Sequence, residues 1–214
     1  MSDLVILCAA GMLLTAYLMV GQKALFVAIR LYGLQSLLLG VVAVAMAFTD
    51  HRPHLLESAA LTIVLKGVFI PWFLMRTIDR IGIHREIEPF VNTPSSLLIC
   101  LGLTVVGYRV STGLAAGGEG AAHHVIGVSL SMLLMGLFLM VTRRKAVTQI
   151  LALLTIENAV FLVAMGATSG MPLVVELGIS FDVIVAVLVL GILVHRIVDR
   201  FESMDVSRLS NLKG

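Results

Sequence analysis

Apolar segments of about 18 residues or more recur along nearly the whole chain, each long enough to cross the roughly 30 Å hydrocarbon core of a bilayer as a helix. Short polar or glycine-containing breaks separate them. The first predicted span runs from about Leu4 to Val20. Met1-Ser2-Asp3 lacks the positive n-region of a signal peptide, so this span is read as a retained helix. A turn at Gly21-Gln22-Lys23 leads to a second span, from about Ala24 or Leu31 to Phe48, which carries Gln35. Asp50-His51-Arg52-Pro53 breaks the pattern. A third span, from about Leu55 to Ile78, carries Lys66 near its middle and Pro71 further on. The proline predicts a kink, tolerated where neighbouring helices or water satisfy the freed carbonyl. The stretch Arg76 to Thr93, with Arg80, Arg85, Glu86, Glu88 and Pro89, is too charged for lipid and is predicted to be a loop. A fourth span runs from about Ser95 to Thr112, and a glycine-rich connection follows through Glu119. The fifth, His124 to Thr142, ends at Arg143-Arg144-Lys145. Two more apolar segments, within Gln149 to Ile197, meet at a Thr168-Ser169-Gly170-Met171-Pro172 turn, and the polar tail Arg200 to Gly214 closes the chain.

Each of those last two segments carries one acid near its centre, Glu157 in TIENAVF and Asp182 in ISFDVIV. Both acids lie about 12 residues from the turn, so antiparallel helices rising about 1.5 Å per residue bring them to the same depth, roughly 18 Å from the bend. A carboxyl group near the bilayer midplane costs at least about 2.5 kcal/mol on insertion scales, which makes such acids candidates for an ion or proton path. It must pair, find water or change protonation state. For Glu157 a proton relay stands against a neutral acid that fixes helix packing through Asn158; Asp182 faces the same alternatives, with Ser180 as a neighbour. Lys66 either pairs structurally with an acid or tunes that acid's proton affinity. Gln35 and Tyr108 read first as interhelical hydrogen-bonding groups and only then as relay members. Glu57 and Glu176 begin their helices, where an acid favours the N-terminal dipole.

The composition agrees with a membrane protein: 59% of residues are hydrophobic and 13% charged, with a mean hydropathy of +1.05. Soluble domains carry about 25% charged residues. Lys23, Arg30, Arg76, Arg80, Arg85, the Arg143-Arg144-Lys145 run, Arg196, Arg200, Arg208 and Lys213 fall on one side of the spans, against Arg52 and Arg109 on the other. The positive-inside rule then places the N-terminus outside and the C-terminus on the cytoplasmic side. Cys8 and Cys100 sit inside apolar runs without metal or redox spacing. The six histidines include the neighbours His51 and His54 and the adjacent His123 and His124, and none forms a helical ligand pair with an acid. No nucleophile motif, phosphate loop, haem-ligand pattern or basic aromatic patch for nucleic acid is present.

An internal repeat organises the spans. At a constant offset of 119 residues, Val41, Val44, Ala45, Met46, Thr49, Pro53, Glu57, Val64, Val68, Leu74 and Ile78 match identical residues between Val160 and Ile197. The expected fold is an all-α polytopic membrane protein of about seven transmembrane helices, as two parallel three-helix units joined by one extra helix. Residues 1–81 form the first unit, 82–120 a cytoplasmic loop and the linking helix, 121–200 the acid-bearing unit and 201–214 a cytoplasmic tail. The offset sets Leu38 opposite Glu157 and Ile63 opposite Asp182, so the first unit has Gln35 and Lys66 instead, each about one turn nearer the cytoplasm.

With Glu157 in LLTIENAVFLVA and Asp182 in ISFDVIVAVLVLGILVHRI, the last unit resembles the three-helix 4L (K) subunit of respiratory complex I and the C subunit of multisubunit cation/proton antiporters. That resemblance implies proton-translocating acids at Glu157 and Asp182, the second an Asp where chain 4L has Glu. Over its full length, with Lys66 before Pro71 and the closing DVSRLSNLKG, the chain more closely resembles component E of hydrogenase-4 and formate hydrogenlyase-type membrane complexes. This implies a membrane subunit of a nickel-iron hydrogenase assembly, without cofactors of its own, whose soluble partners carry the nickel-iron and iron-sulfur centres. Antiporter-like and quinone-site-like membrane subunits would be its neighbours, with the catalytic subunits on the cytoplasmic side. Two functions remain: a proton-conducting subunit using Glu157, Asp182 and Lys66, or a structural adaptor that docks the hydrophilic arm through Arg76 to Pro94 and the tail. A retinal-type receptor with Lys66 as Schiff base is disfavoured, because only 6% of residues are aromatic and such a pocket needs flat aromatic walls.

Overall fold

In hydrocarbon every backbone N–H and C=O must be bonded within the chain, which leaves a helix as the way for each apolar segment to cross. The computed structural model describes residues 2–49, 56, 59–60, 62–81, 90–114 and 121–167, and these are helical throughout apart from short turns. Helix α1 spans Ser2–Gly21 and α2 spans Leu25–Thr49. A π-helical segment, Thr62–Phe69, runs directly into α3, Ile70–Ile81. Helices α4 (Thr93–Leu114), α5 (Ala121–Thr142) and α6 (Ala146–Ala167) follow. Among the described residues α1, α2, α4, α5 and α6 are long and apolar enough to cross a membrane. The seventh predicted span, with Asp182 and Ser180, lies outside the described residues.

Two departures from the expected elements concern the third span. The segment 76–81 is helical, not loop: α3 carries Arg76, Thr77, Asp79 and Arg80 to its end at Ile81. Positions 76 and 79 are spaced i and i+3, so Arg76 and Asp79 share one exposed face while Leu74 and Ile78 stay buried on another. Arg76 lies 5.6 Å from the centre of the Trp72 ring one turn back, a cation–π contact suited to a helix leaving the apolar region. The second departure is that the kink expected at Pro71 is preceded by eight residues of π-helix. Proline has no N–H to give the carbonyl four residues earlier, that of Gly67, and the widened turn lies just ahead of that gap.

Helix α2 packs against α1, the π segment, α3 and α6, whereas α5 packs against α1, α4 and α6. These two hubs divide the core. Met12, Leu39, Val42, Met132, Met135 and Leu162 belong to one buried cluster; Ile29, Tyr32, Leu74, Leu151 and Leu154 belong to a second. Without a hydrophobic drive between helices in lipid, association relies on close backbone approach at small residues. A Cβ on Gly33 would lie 3.2 Å from Pro71 Cγ and 3.3 Å from the Gly67 carbonyl oxygen, and one on Gly40 would collide with Ile63. A Cβ on Gly67 would lie 2.8 Å from Leu37. Glycines on both sides therefore let the π segment lie directly on α2.

Candidate functional site

Lys66 and Glu157 converge in the middle of this bundle. Glu157 is the twelfth of the 22 residues of α6, and Lys66 is carried on the π segment. Nζ of Lys66 lies 3.4 Å from Oε2 of Glu157, with the side chains 2% and 1% exposed. That spacing exceeds the roughly 2.7–2.9 Å of a tight charge-assisted hydrogen bond but holds the two groups as an ion pair. An ion pair cut off from water needs further polar neighbours to offset its desolvation, and the adjacent side chains supply a polar layer.

Asn158, next to Glu157, is fully buried and points toward α2. Its Nδ2 donates to Gln35 Oε1 at 3.2 Å and to Ser36 Oγ at 3.0 Å. The amide of Gln35 donates in turn to the Met12 carbonyl at 3.3 Å and to Thr15 Oγ1 at 3.4 Å, and Thr15 donates to the same carbonyl at 2.7 Å. A layer of polar groups thus runs from α1 through α2 to Asn158 of α6, and the residue before it, Glu157, pairs with Lys66. Apart from the Thr15–Met12 bond within α1, these bonds cross between helices whose surroundings are apolar, where hydrogen bonds have little competition from water.

Of the residues singled out in the sequence, Lys66, Glu157, Asn158 and Gln35 are brought together, and the one-turn offset of Lys66 is spanned by its long side chain. Tyr108 sits elsewhere. It lies on α4 with its ring 6.5 Å from that of His124, and its edge would press on a Cβ at Gly127. Asp182 and Ser180 fall outside the described residues. Ser36 and Thr15 were not singled out. The signal for Ser36 was its place beside Gln35, while Thr15 had none beyond being a hydroxyl in an apolar span. Arg143 also acquires an interior role: 3% exposed, it donates through Nη2 to the Val20 carbonyl at the end of α1, where a cation complements the helix dipole. Gln149 Nε2 bonds the Arg143 carbonyl at 3.0 Å, fixing the α5–α6 turn. Among the described residues no three His, Cys, Asp or Glu side chains gather as a metal site.

Chemically, the arrangement offers one acid and one base in contact and, starting one residue along α6 from the acid, a set of amides and hydroxyls that can donate or accept but do not ionise. The chain is 32% identical over 213 residues to the uncharacterized protein Rv0085 of Mycobacterium tuberculosis, covering 99% of this chain and 97% of that one. It is 28% identical over 212 residues to hydrogenase-4 component E of Escherichia coli and of Shigella flexneri, covering 96% of this chain and 95% of each relative. No family model and no solved structure matches it. With alignments that run over nearly the whole of both chains and a helical, multi-pass membrane architecture, the chain belongs to the hydrogenase-4 component E family.

Proposed function

We propose that this chain is an integral membrane subunit of a nickel-iron hydrogenase complex and that Lys66 and Glu157 handle protons within it. The observation that carries the reading is the 3.4 Å contact between two titratable side chains, both almost completely buried, inside an apolar bundle. While both are charged, each stabilises the other. A proton arriving on the Glu157 carboxylate cancels that attraction and so weakens the hold on the Lys66 ammonium. Release of the proton from Glu157 restores the pair. Asp182 is proposed as a second acid of the path. The nickel-iron and iron-sulfur centres belong to partner subunits, with antiporter-like and quinone-site-like subunits beside this one in the membrane. The excess of Lys and Arg on one side supports an N-terminus outside and a C-terminus in the cytoplasm of a prokaryotic inner membrane.

The proposed organisation as two parallel three-helix units draws support from the helix bounds. Shifted by the offset of 119 residues, α1 falls on 121–140 and α2 on 144–168, close to α5 and α6. In addition, α1 packs on α5 and α2 on α6.

Glu157→Gln in the assembled complex tests the function: the amide keeps shape and hydrogen bonding but removes the titrating group. Expected is a loss of redox-coupled proton transport with the subunit still incorporated. Unchanged transport in an intact complex would overturn the proton role and leave a structural adaptor, for which the Gln35–Asn158 link between α2 and α6 is the favouring feature.

A further inference from the structure

At the end of the bundle opposite Arg143, the surface carries a cation at the mouth of a groove. Arg109 lies five residues before the end of α4 at Leu114 and is exposed. The groove, about 400 Å³, is lined by Thr104, Val105, Tyr108, Arg109, Thr112 and His123, so it is built from α4 and the first turn of α5. An arginine on the outer face of a membrane helix is costly unless its head reaches the interface and meets an anion there. The positions four, eight and eleven residues back from Arg109 are Val105, Leu101 and Leu98, and they are 55%, 56% and 71% exposed. Those intervals keep them on one face of α4. From Arg109 to Leu98 the helix rises roughly 16 Å, about half the hydrocarbon thickness of a bilayer. A cationic mouth above an apolar strip one leaflet deep matches an acyl lipid with an anionic head.

We infer that the α4–α5 groove binds one anionic phospholipid, its phosphate held by Arg109 with His123 and its acyl chain lying along Val105, Leu101 and Leu98. The planar guanidinium suits bidentate contact with phosphate oxygens, while the Thr112 hydroxyl at the same mouth donates to the Arg109 carbonyl at 2.6 Å. The tail contact separates a lipid from a free phosphate, which would use the mouth alone. This inference is independent of the proton pathway, since neither Lys66 nor Glu157 lines the groove.

The test is native mass spectrometry of the full chain in mild detergent, titrated with phosphatidylglycerol or with phosphatidylcholine of identical acyl chains. One phosphatidylglycerol should be retained in preference. The Arg109→Gln/His123→Gln variant should lower that retention by about tenfold, the scale of a lost charge-assisted contact. Leu101→Ser, which leaves the mouth intact, should weaken retention as well, and helix content measured by circular dichroism should stay unchanged in both variants. Equal retention of the two lipids, or no loss in Arg109→Gln/His123→Gln, overturns the proposal. Displacement of the lipid by inorganic phosphate with Leu101→Ser silent overturns it too, in favour of a free-anion site.

Discussion

Glu157 and Lys66 meet at one point, but the segments that carry them are built differently. Helix α6 is one regular 22-residue helix, buried along most of its length between α2 and α5, and its acid sits at the middle beside Asn158, which bonds to α2 twice. The span holding Lys66 is divided: π-helical for eight residues, then α-helical from Ile70, with Pro71 just past the change. π segments widen the backbone by one residue per turn and recur at functional sites. The acid therefore has a regular α-helical host and the base a π-helical one. That difference is what a pair needs if it is to open and reclose as a proton comes and goes, because a charge fixed on both sides would only resist protonation.

The largest effect should come from separating the partners. Lys66→Met removes this ion pair while Glu157 stays buried and should cost about 3–5 kcal/mol of stability, whereas Lys66→Met with Glu157→Leu should recover most of it. Thermal unfolding of the detergent-solubilised chain checks this, and a double variant no more stable than the single would show that the pair is not the unit we describe. A smaller effect is expected at the contact that seats the π segment on α2. Gly40→Val forces side chain into Ile63 and should cost about 1–3 kcal/mol by overpacking. Ile63→Ala in the same chain should relieve part of that cost, and the absence of relief would mean that the π segment does not rest on α2 at this point. The smallest effect should appear at the contact between α1 and α4, outside the comparison. Tyr17 of α1 pairs with Thr104 Oγ1 at 2.6 Å and donates to the Cys100 carbonyl at 3.2 Å, so Tyr17→Phe should cost about 0.5–1.5 kcal/mol. Proton transport by the assembled complex should be unaffected by Tyr17→Phe. A transport defect there would extend the site beyond the Lys66–Glu157 layer.

The fourth, fifth and sixth spans were legible because an apolar run of membrane length, closed by Pro94, the Gly117-Gly118 stretch or Arg143-Arg144-Lys145, has few other structures open to it. Reading Arg76 to Ile81 as loop failed for a physical reason: charge was counted per segment, while a helix at the edge of the apolar region is judged by face. Arg76 and Asp79 share one exposed side, so α3 continues with its opposite side still packed. The π segment was also hidden, since π and α turns differ by one residue in hydrogen-bond pairing. Here the choice goes with contacts from α2, at Gly33 and Gly40, that are distant in sequence.

By itself the sequence determined that this chain is a helical membrane protein and that Glu157 and Lys66 would lie deep within it, because length, hydropathy and the cost of a buried charge are local properties. It did not determine which groups they would meet. The spanning helices are apolar on every side, so periodicity carries no record of which face turns inward. The rotation of each helix was settled by packing, through glycines that allow close approach and amides that bond across the gap. Only the tertiary structure could place Lys66 against Glu157, with Asn158 turned to Gln35 and Ser36.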